Sequence, residues 1–118
     1  MSKQTETISG LPMKGYDFTE ATFDAAHAAF GNGLHGHTWY VRVYWDIFPP
    51  RDAQVVHTKL STILDAWHHT NLNDHDNLDP TNAGVARAIL HLMGDFIVGV
   101  RVWRGGRVPC GAEVWVND

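Results

Sequence analysis

Three histidines, His27, His35 and His37, carry the clearest chemistry in this 118-residue sequence, within the run His27-Ala-Ala-Phe-Gly-Asn-Gly-Leu-His35-Gly-His37. Side chains of an extended chain alternate with a period of two, so His35 and His37 point to one side. His27 ends the preceding aromatic and β-branched stretch and reaches them from a neighbouring strand across a short loop. Three imidazoles converging without a fourth protein ligand form the pattern of a catalytic zinc site, since structural sites are closed by four ligands that usually include Cys. The open position takes water or a substrate oxygen, which the metal polarises. A lone strand histidine is far more often a hydrogen-bonded residue of the core or surface, and an H-x-H pair alone decides little; the third histidine favours the metal. Imidazole sites also accept Cu, Ni or Fe, so Zn2+ is the expected ion rather than the sole candidate.

Other residues that can do chemistry have plainer readings beside the functional one. His68 and His69 fall at the end of a helical pattern, where a protonated imidazole also suits the helix dipole. Asp74, His75 and Asp76 sit in an Asn- and Asp-rich stretch and read first as a solvated loop. Cys110 is the single cysteine, so it makes no internal disulfide and fits a reducing, cytoplasmic setting. It reads as a small residue at a strand start. Trp39, Trp45, Trp103 and Trp115 occupy strand positions and read as core or subunit-interface packing. Arg101 and Arg104 have the chemistry to meet a phosphate, but read first as facing water.

The elements that must position these groups follow from periodicity. Tyr16–His27 reads as a strand, with a bulge allowed, and Phe30–Gly36 as a glycine-rich loop. His37–Trp45 is the clearest strand, with Trp39, Val41, Val43 and Trp45 on one face. Pro49 and Pro50 end it. Residues 52–68 form a helix pattern through Val56, Leu60, Ile63, Leu64 and Trp67. Thr70–Asp79 reads as a loop. Pro80 and Thr81 open a second helix to about Asp95, with Val85, Ile89, Leu92 and Phe96 as its buried stripe. Ile97–Arg104 is a strand with Val98, Val100 and Val102 on one face, and Ala112–Val116 is the last. The order β-β-α-α-β-β predicts an α+β domain, a four-stranded antiparallel sheet with two helices on one face. Residues 1–13, polar with Gly10 and Pro12, read as a flexible N-terminal arm ahead of a single domain over 14–118.

Composition narrows the function classes. Leu, Ile, Val and Phe make up about a quarter of the chain, above the roughly one-fifth floor typical of disordered chains. A core this small gains from association between subunits. The formal charge of −4 argues against a nucleic-acid backbone binder. No run of 18 apolar residues is present, so no membrane-spanning helix is expected. The opening MSKQTETISG lacks the apolar stretch of a secretory signal.

Taken together, Phe23-Asp-Ala-Ala-His27, Leu34-His35-Gly-His37-Thr-Trp-Tyr-Val-Arg-Val, His69-Thr-Asn-Leu72-Asn73 and Pro80-Thr81 followed by Val85-Ala86 resemble, in order, the 6-pyruvoyl-tetrahydropterin and 6-carboxy-tetrahydropterin synthases. The combination of F-x-A-A-H with a downstream HGH is the specific part. The resemblance implies a tunnelling fold (T-fold) whose units associate, usually as a hexamer made of two trimers. It implies His27, His35 and His37 as zinc ligands and 7,8-dihydroneopterin triphosphate as the reference substrate, its side-chain hydroxyls held by zinc while a Cys-Asp-His set moves protons and triphosphate leaves.

The departures fall on that chemistry. The family's catalytic Cys, four residues before the first His of HGH, is Gly31 here, which has no titratable atom. The family's Asp-His pair reads His68-His69: His69 keeps the histidine's place and His68 replaces the carboxylate. Its Glu-Asn pair after Pro-Thr reads Ala83-Gly84. The Glu that anchors the pterin ring aligns with Arg104, which repels the ring's N–H donors. Thr81, Asn82 and Glu113 are the residues left to bind substrate, and His69 and His68 those left to move protons. The expectation is a divergent zinc-dependent lyase of this type acting on a pterin. A homologue that binds a pterin- or purine-like ligand and zinc without the family reaction is the alternative, and an oligomer whose histidines serve assembly is the third reading.

Overall fold

The computed structural model describes residues 6–8, 10–94 and 96–117. Strands β1 (Glu6–Ile8) and β2 (Leu11–Met13) pair as a small antiparallel ribbon. Where the sequence reading has only an arm, Gly10 at φ +80° turns the chain back on itself.

The main sheet has four antiparallel strands in the order β3 (Tyr16–His27), β4 (His35–Asp46), β5 (Ile97–Arg104) and β6 (Cys110–Trp115). Two helices, α1 (Ala53–Asp65) and α2 (Asn82–Met93), lie between β4 and β5 in sequence and pack on one face, so the predicted order and layering hold. Asp52 caps α1 by accepting a hydrogen bond from Gln54 N–H, and Thr81 caps α2 from Gly84 N–H.

The core forms between that sheet face and the helices. Phe23, Trp39, Val41, Val43 and Trp45 meet Val56, Leu60, Leu64 and Trp67 of the α1 region and Val85, Ile89 and Met93 of α2, all buried. Within α2, Met93 takes the inward position expected of Leu92, which is 49% exposed. One step in a 3.6-residue period moves a side chain by about 100°, so a boundary error of one residue exchanges them.

A second correction lies in β5. Tyr44 faces Gly99 but Trp45 faces Ile97, a bulge between β4 and β5 rather than in β3. The extra residue turns Ile97, not Val98, into the core, while Val100 and Val102 remain inward as expected.

The other sheet face carries aromatic and charged side chains. Tyr44 and Trp115 rings lie 4.7 Å apart, Tyr40 stacks on Trp103 at 5.5 Å, and Arg42 pairs with Glu20. Gly99 makes room for the Trp115 ring, which a Cβ there would overlap. The two faces thus separate a packed interior from an aromatic surface, and the functional cluster lies where the interior face runs out.

Candidate metal centre

Register places the three histidines. His27 and His35 are directly opposed at the end of the β3–β4 pair, and His37 lies two residues inward on β4. All three share the parity of Phe23, Ala25, Trp39 and Val41, so they extend the core face into a cup floored by Trp39. The His27 ring meets the Trp39 ring edge-on at 4.9 Å, and the three imidazole centroids lie 4.6 to 5.0 Å apart. Trp39 is fixed in turn by its indole N–H, which donates to Ala25 O at 3.1 Å, and by stacking on Phe23.

The backbone sets which nitrogen of each ring is free. His27 Nδ1–H donates to the carbonyl of Pro80 at 2.6 Å, and His35 Nδ1–H donates to the carbonyl of Gly33 at 2.6 Å. A carbonyl only accepts, so both rings carry their proton on Nδ1 and turn an Nε2 lone pair into the cup. Such partners are what orient the histidines of metal sites. One potential ligand atom from each of the three histidines lies within 4.8 Å of the others, and His27 Nε2 and His35 Nε2 are 3.2 Å apart. Two nitrogens on a tetrahedral zinc, each at 2.0–2.1 Å, stand roughly 3.4 Å apart. The donor set therefore fits a zinc-type cation with an open position.

Protonation agrees. Burial pushes the His27 imidazole below its ordinary value, aided by the charge of Arg104 and opposed by the Pro80 hydrogen bond. His37 is lowered to about 4, again chiefly by burial and then by Arg104. Both are neutral at pH 7, the form a metal ligand requires.

Arg104, read from the sequence as solvent-facing, turns inward. Its Nη1–H groups donate to His27 Nε2 at 3.0 Å and His37 Nε2 at 2.7 Å, and its guanidinium lies 5.1 Å over the Trp39 ring. The signal was available, because Arg104 shares the parity of the inward Val100 and Val102 on β5. Its Nη2–H donates to Cys110 Sγ at 3.3 Å, and Asn82 Nδ2–H donates to the same sulfur at 3.4 Å. Cys110 begins β6 as expected, but at the rim of the cup rather than as an idle filler.

The remaining predicted residues divide. Asn82 reaches the rim through Cys110. Thr81 is occupied by the helix cap and by a hydrogen bond from its hydroxyl to Asp79 Oδ2 at 3.1 Å. Glu113 has the opposite parity to Cys110 on β6 and so leaves the strand on the aromatic face, turned from the histidines; it lines a groove of about 610 Å³ with Arg101, Trp103, Arg104 and Cys110 at the sheet edge.

His68 and His69 gather against β3. His69 N–H donates to Asp24 O at 2.6 Å, Asp24 N–H donates to His68 Nδ1 at 3.1 Å, and the two rings stack at 3.7 Å. His69 holds φ at +59°, a left-handed conformation that costs a non-glycine residue of order 1 kcal/mol. The Asp24 carboxylate lies within 4.8 Å of both imidazoles, an acid the sequence reading did not single out. A groove of about 430 Å³ is lined by Asp24, Gly36, His37 and His69, although the Asp24 carboxylate, held by the Thr38 hydroxyl, has the opposite parity to the three histidines and leaves β3 from the other face. Asp74 ends a 3₁₀ turn, Leu72–Asp74, and His75, which caps it, meets Thr70 Oγ1 at 2.9 Å.

This architecture, a four-stranded antiparallel sheet backed by two helices, is the tunnelling fold. A family model described as 6-pyruvoyl tetrahydropterin synthase matches residues 18–108, and the chain belongs to that family. The 6-pyruvoyl tetrahydropterin synthase of Caenorhabditis elegans superposes with a TM-score of 0.69 at 15% identity, over 87% of this chain and 96% of that one. The Plasmodium falciparum enzyme gives 0.59 at 13% identity, over 87% and 99%. That of Plasmodium vivax gives 0.57 at 12% identity, over 88% and 99%. No curated protein sequence matches the chain. At such identities the structural likeness speaks for the fold, and the family rests on the sequence model.

Proposed function

We propose that the protein is a divergent zinc-dependent lyase of the 6-pyruvoyl-tetrahydropterin synthase type, acting on 7,8-dihydroneopterin triphosphate or a related pterin by elimination of triphosphate. The observation that carries this reading is the trio of imidazoles turned Nε2-inward, two of them with Nδ1–H bound to backbone carbonyls. His27, His35 and His37 would hold Zn2+, which when bound supplies a Lewis acid for a substrate hydroxyl or ketone. His69 takes and returns the proton, placed by its backbone hydrogen bond to Asp24 and stacked on His68. The Asp24 carboxylate, within 4.8 Å of that imidazole, stands in for the family's missing carboxylate. Trp39 closes the floor of the cup to water, and Asn82 sits at its rim.

Homo-oligomerisation, as a hexamer of two trimers, belongs to the same proposal. β6 ends the sheet with its outer edge unpaired among the described residues, and the aromatic face lies open on the monomer. No helix of the described chain is long and apolar enough to cross a membrane. The free thiol of Cys110 supports a cytoplasmic setting.

A second reading is favoured by Gly31. The position of the family's thiol has no side chain, and nothing in the structure lies within 4 Å of where its Cβ would stand. A homologue that holds zinc and a pterin- or purine-like ligand without turnover fits that gap. Incubation of the zinc-loaded protein with 7,8-dihydroneopterin triphosphate separates the two. Triphosphate release supports the lyase, pterin binding without release supports the second reading, and neither binding nor release rejects both.

A further inference from the structure

The charge arrangement of the cup is unusual for a metal site because its nearest resident is already a cation. Arg104 spends its hydrogen bonds on two imidazole nitrogens and a thiol, and among the described residues no carboxylate pairs with it. Its Nε is buried without a partner. An imidazole Nε2 has one lone pair, so Arg104 and a metal ion compete for the same atoms of His27 and His37. A cation on the triad requires the guanidinium to leave those two lone pairs. Two positive centres then adjoin each other with no carboxylate of the described residues hydrogen-bonded to Arg104: Glu113 shares the sheet-edge groove with Arg104 but leaves β6 from the opposite face, and Asp24 sits with His68 and His69.

We propose that this pairing makes the cup a binding site for an oxyanion, with Arg104 as its specificity-determining residue. The guanidinium, turned off the imidazoles, donates its planar fork to a carboxylate or phosphate group of the ligand held against the metal. The proposal rests on the metal-site reading above and deepens it. The ligand's group that meets position 104 is anionic, in place of the N–H edge that a carboxylate there would accept from.

The test uses cobalt(II), whose visible absorption reports its coordination. The cobalt-loaded protein is titrated separately with inorganic phosphate and with acetate, and glycerol is the neutral control. The wild type is expected to bind at least one anion with a spectral change, and Arg104→Gln to weaken it roughly tenfold or more. Arg104→Lys keeps part of the affinity because the charge remains. Response to phosphate alone assigns a phosphorylated ligand, and response to acetate alone a carboxylate. Arg104→Gln should also take cobalt from a chelator several-fold more tightly than the wild type, because nothing then competes for the lone pairs. Equal anion affinity in wild type and Arg104→Gln, both loaded with cobalt, overturns this proposal and leaves the metal site standing. Failure of the wild type to take up cobalt overturns both.

Discussion

His27 and His35 face each other Nε2 to Nε2 at 3.2 Å while each Nδ1–H is committed to a backbone carbonyl. With each Nε2 left as an acceptor, this contact sets lone pair against lone pair. Such an arrangement is unfavourable without a positive centre between or beside the nitrogens, and Arg104 Nη1 fills that role at His27. Removing one ring should therefore cost the metal far more than it costs the fold. His35→Ala is expected to abolish the thermal stabilisation by zinc, which for a ligand at 1,000 times its Kd is about 4 kcal/mol. The metal-free melting temperature should move by no more than roughly 3 °C. Thermal melts of both proteins with and without zinc check this; retained zinc stabilisation in the variant would exclude His35 as a ligand.

Acid should destabilise the metal-free protein before any carboxylate titrates. His37 is lowered to about 4 and His27 is also lowered, both chiefly by burial, whereas unfolded histidine titrates near 6.5. Between those values the unfolded chain binds more protons than the folded one, so stability rises with pH through the window and is lost as pH falls from about 6.5 towards 4. The loss from His37 is about 1–3 kcal/mol, allowing for solvent screening. Urea midpoints at pH 7, 6 and 5 should fall in that order. A flat series, or one that persists unchanged in His37→Gln, contradicts the assignment.

The sheet and helices were legible because their periods are enforced by one packed interface. Trp39, Val41, Val43 and Trp45 alternate, and Val56, Leu60, Leu64 and Trp67 recur at helical spacing, with every one of them buried. The convergence of His27, His35 and His37 was legible for the same reason, since strand alternation fixes direction. The rim was not. Arg104 carries the inward parity of Val100 and Val102, but a charge at a strand end reads as exposed, and only the imidazoles and the Trp39 ring of the cup give its guanidinium partners inside. Asp24 joins His68 and His69 because residues 69–71 run beside β3, with Ala26 N–H donating to Thr70 O at 2.9 Å. That long-range pairing leaves no periodic mark. The exchange of Val98 for Ile97 came from a bulge, which one strand's pattern cannot locate.

Restoring a thiol at position 31 should separate a lost catalyst from a relocated one. Gly31 has φ at +78°, and a Cβ there meets nothing within 4 Å. Gly31→Cys is thus sterically free but conformationally strained, at a cost of about 1–2 kcal/mol, read as a fall in melting temperature of roughly 3–8 °C. Triphosphate release from 7,8-dihydroneopterin triphosphate should rise by roughly 100-fold or more if the proton-transfer group is what the chain lacks. An unchanged rate in a folded, zinc-loaded variant would place the deficit elsewhere, with Arg104 the next position to exchange.

The carbonyl that orients His27 depends on a glycine in another element. Gly84, in the first turn of α2, packs so closely against Asp79 that a Cβ would overlap the Asp79 carbonyl oxygen. Backbone cannot yield as a side-chain tip does, so Gly84→Ala must shift the Asp79–Pro80 segment. It is expected to lower stability by about 1–3 kcal/mol, the usual range for overpacking. The displaced segment includes the Pro80 carbonyl that accepts from His27 Nδ1. Zinc affinity should therefore fall by roughly 10- to 100-fold, as for other losses of a ligand's orienting partner. Gly36→Ala gives the contrast: it lies between two of the ligands, yet its Cβ would meet nothing within 4 Å. That substitution should leave stability within about 0.5 kcal/mol and affinity nearly intact. Chelator competition on the two variants measures the difference; equal zinc affinity would show that His27 keeps its orientation without Pro80.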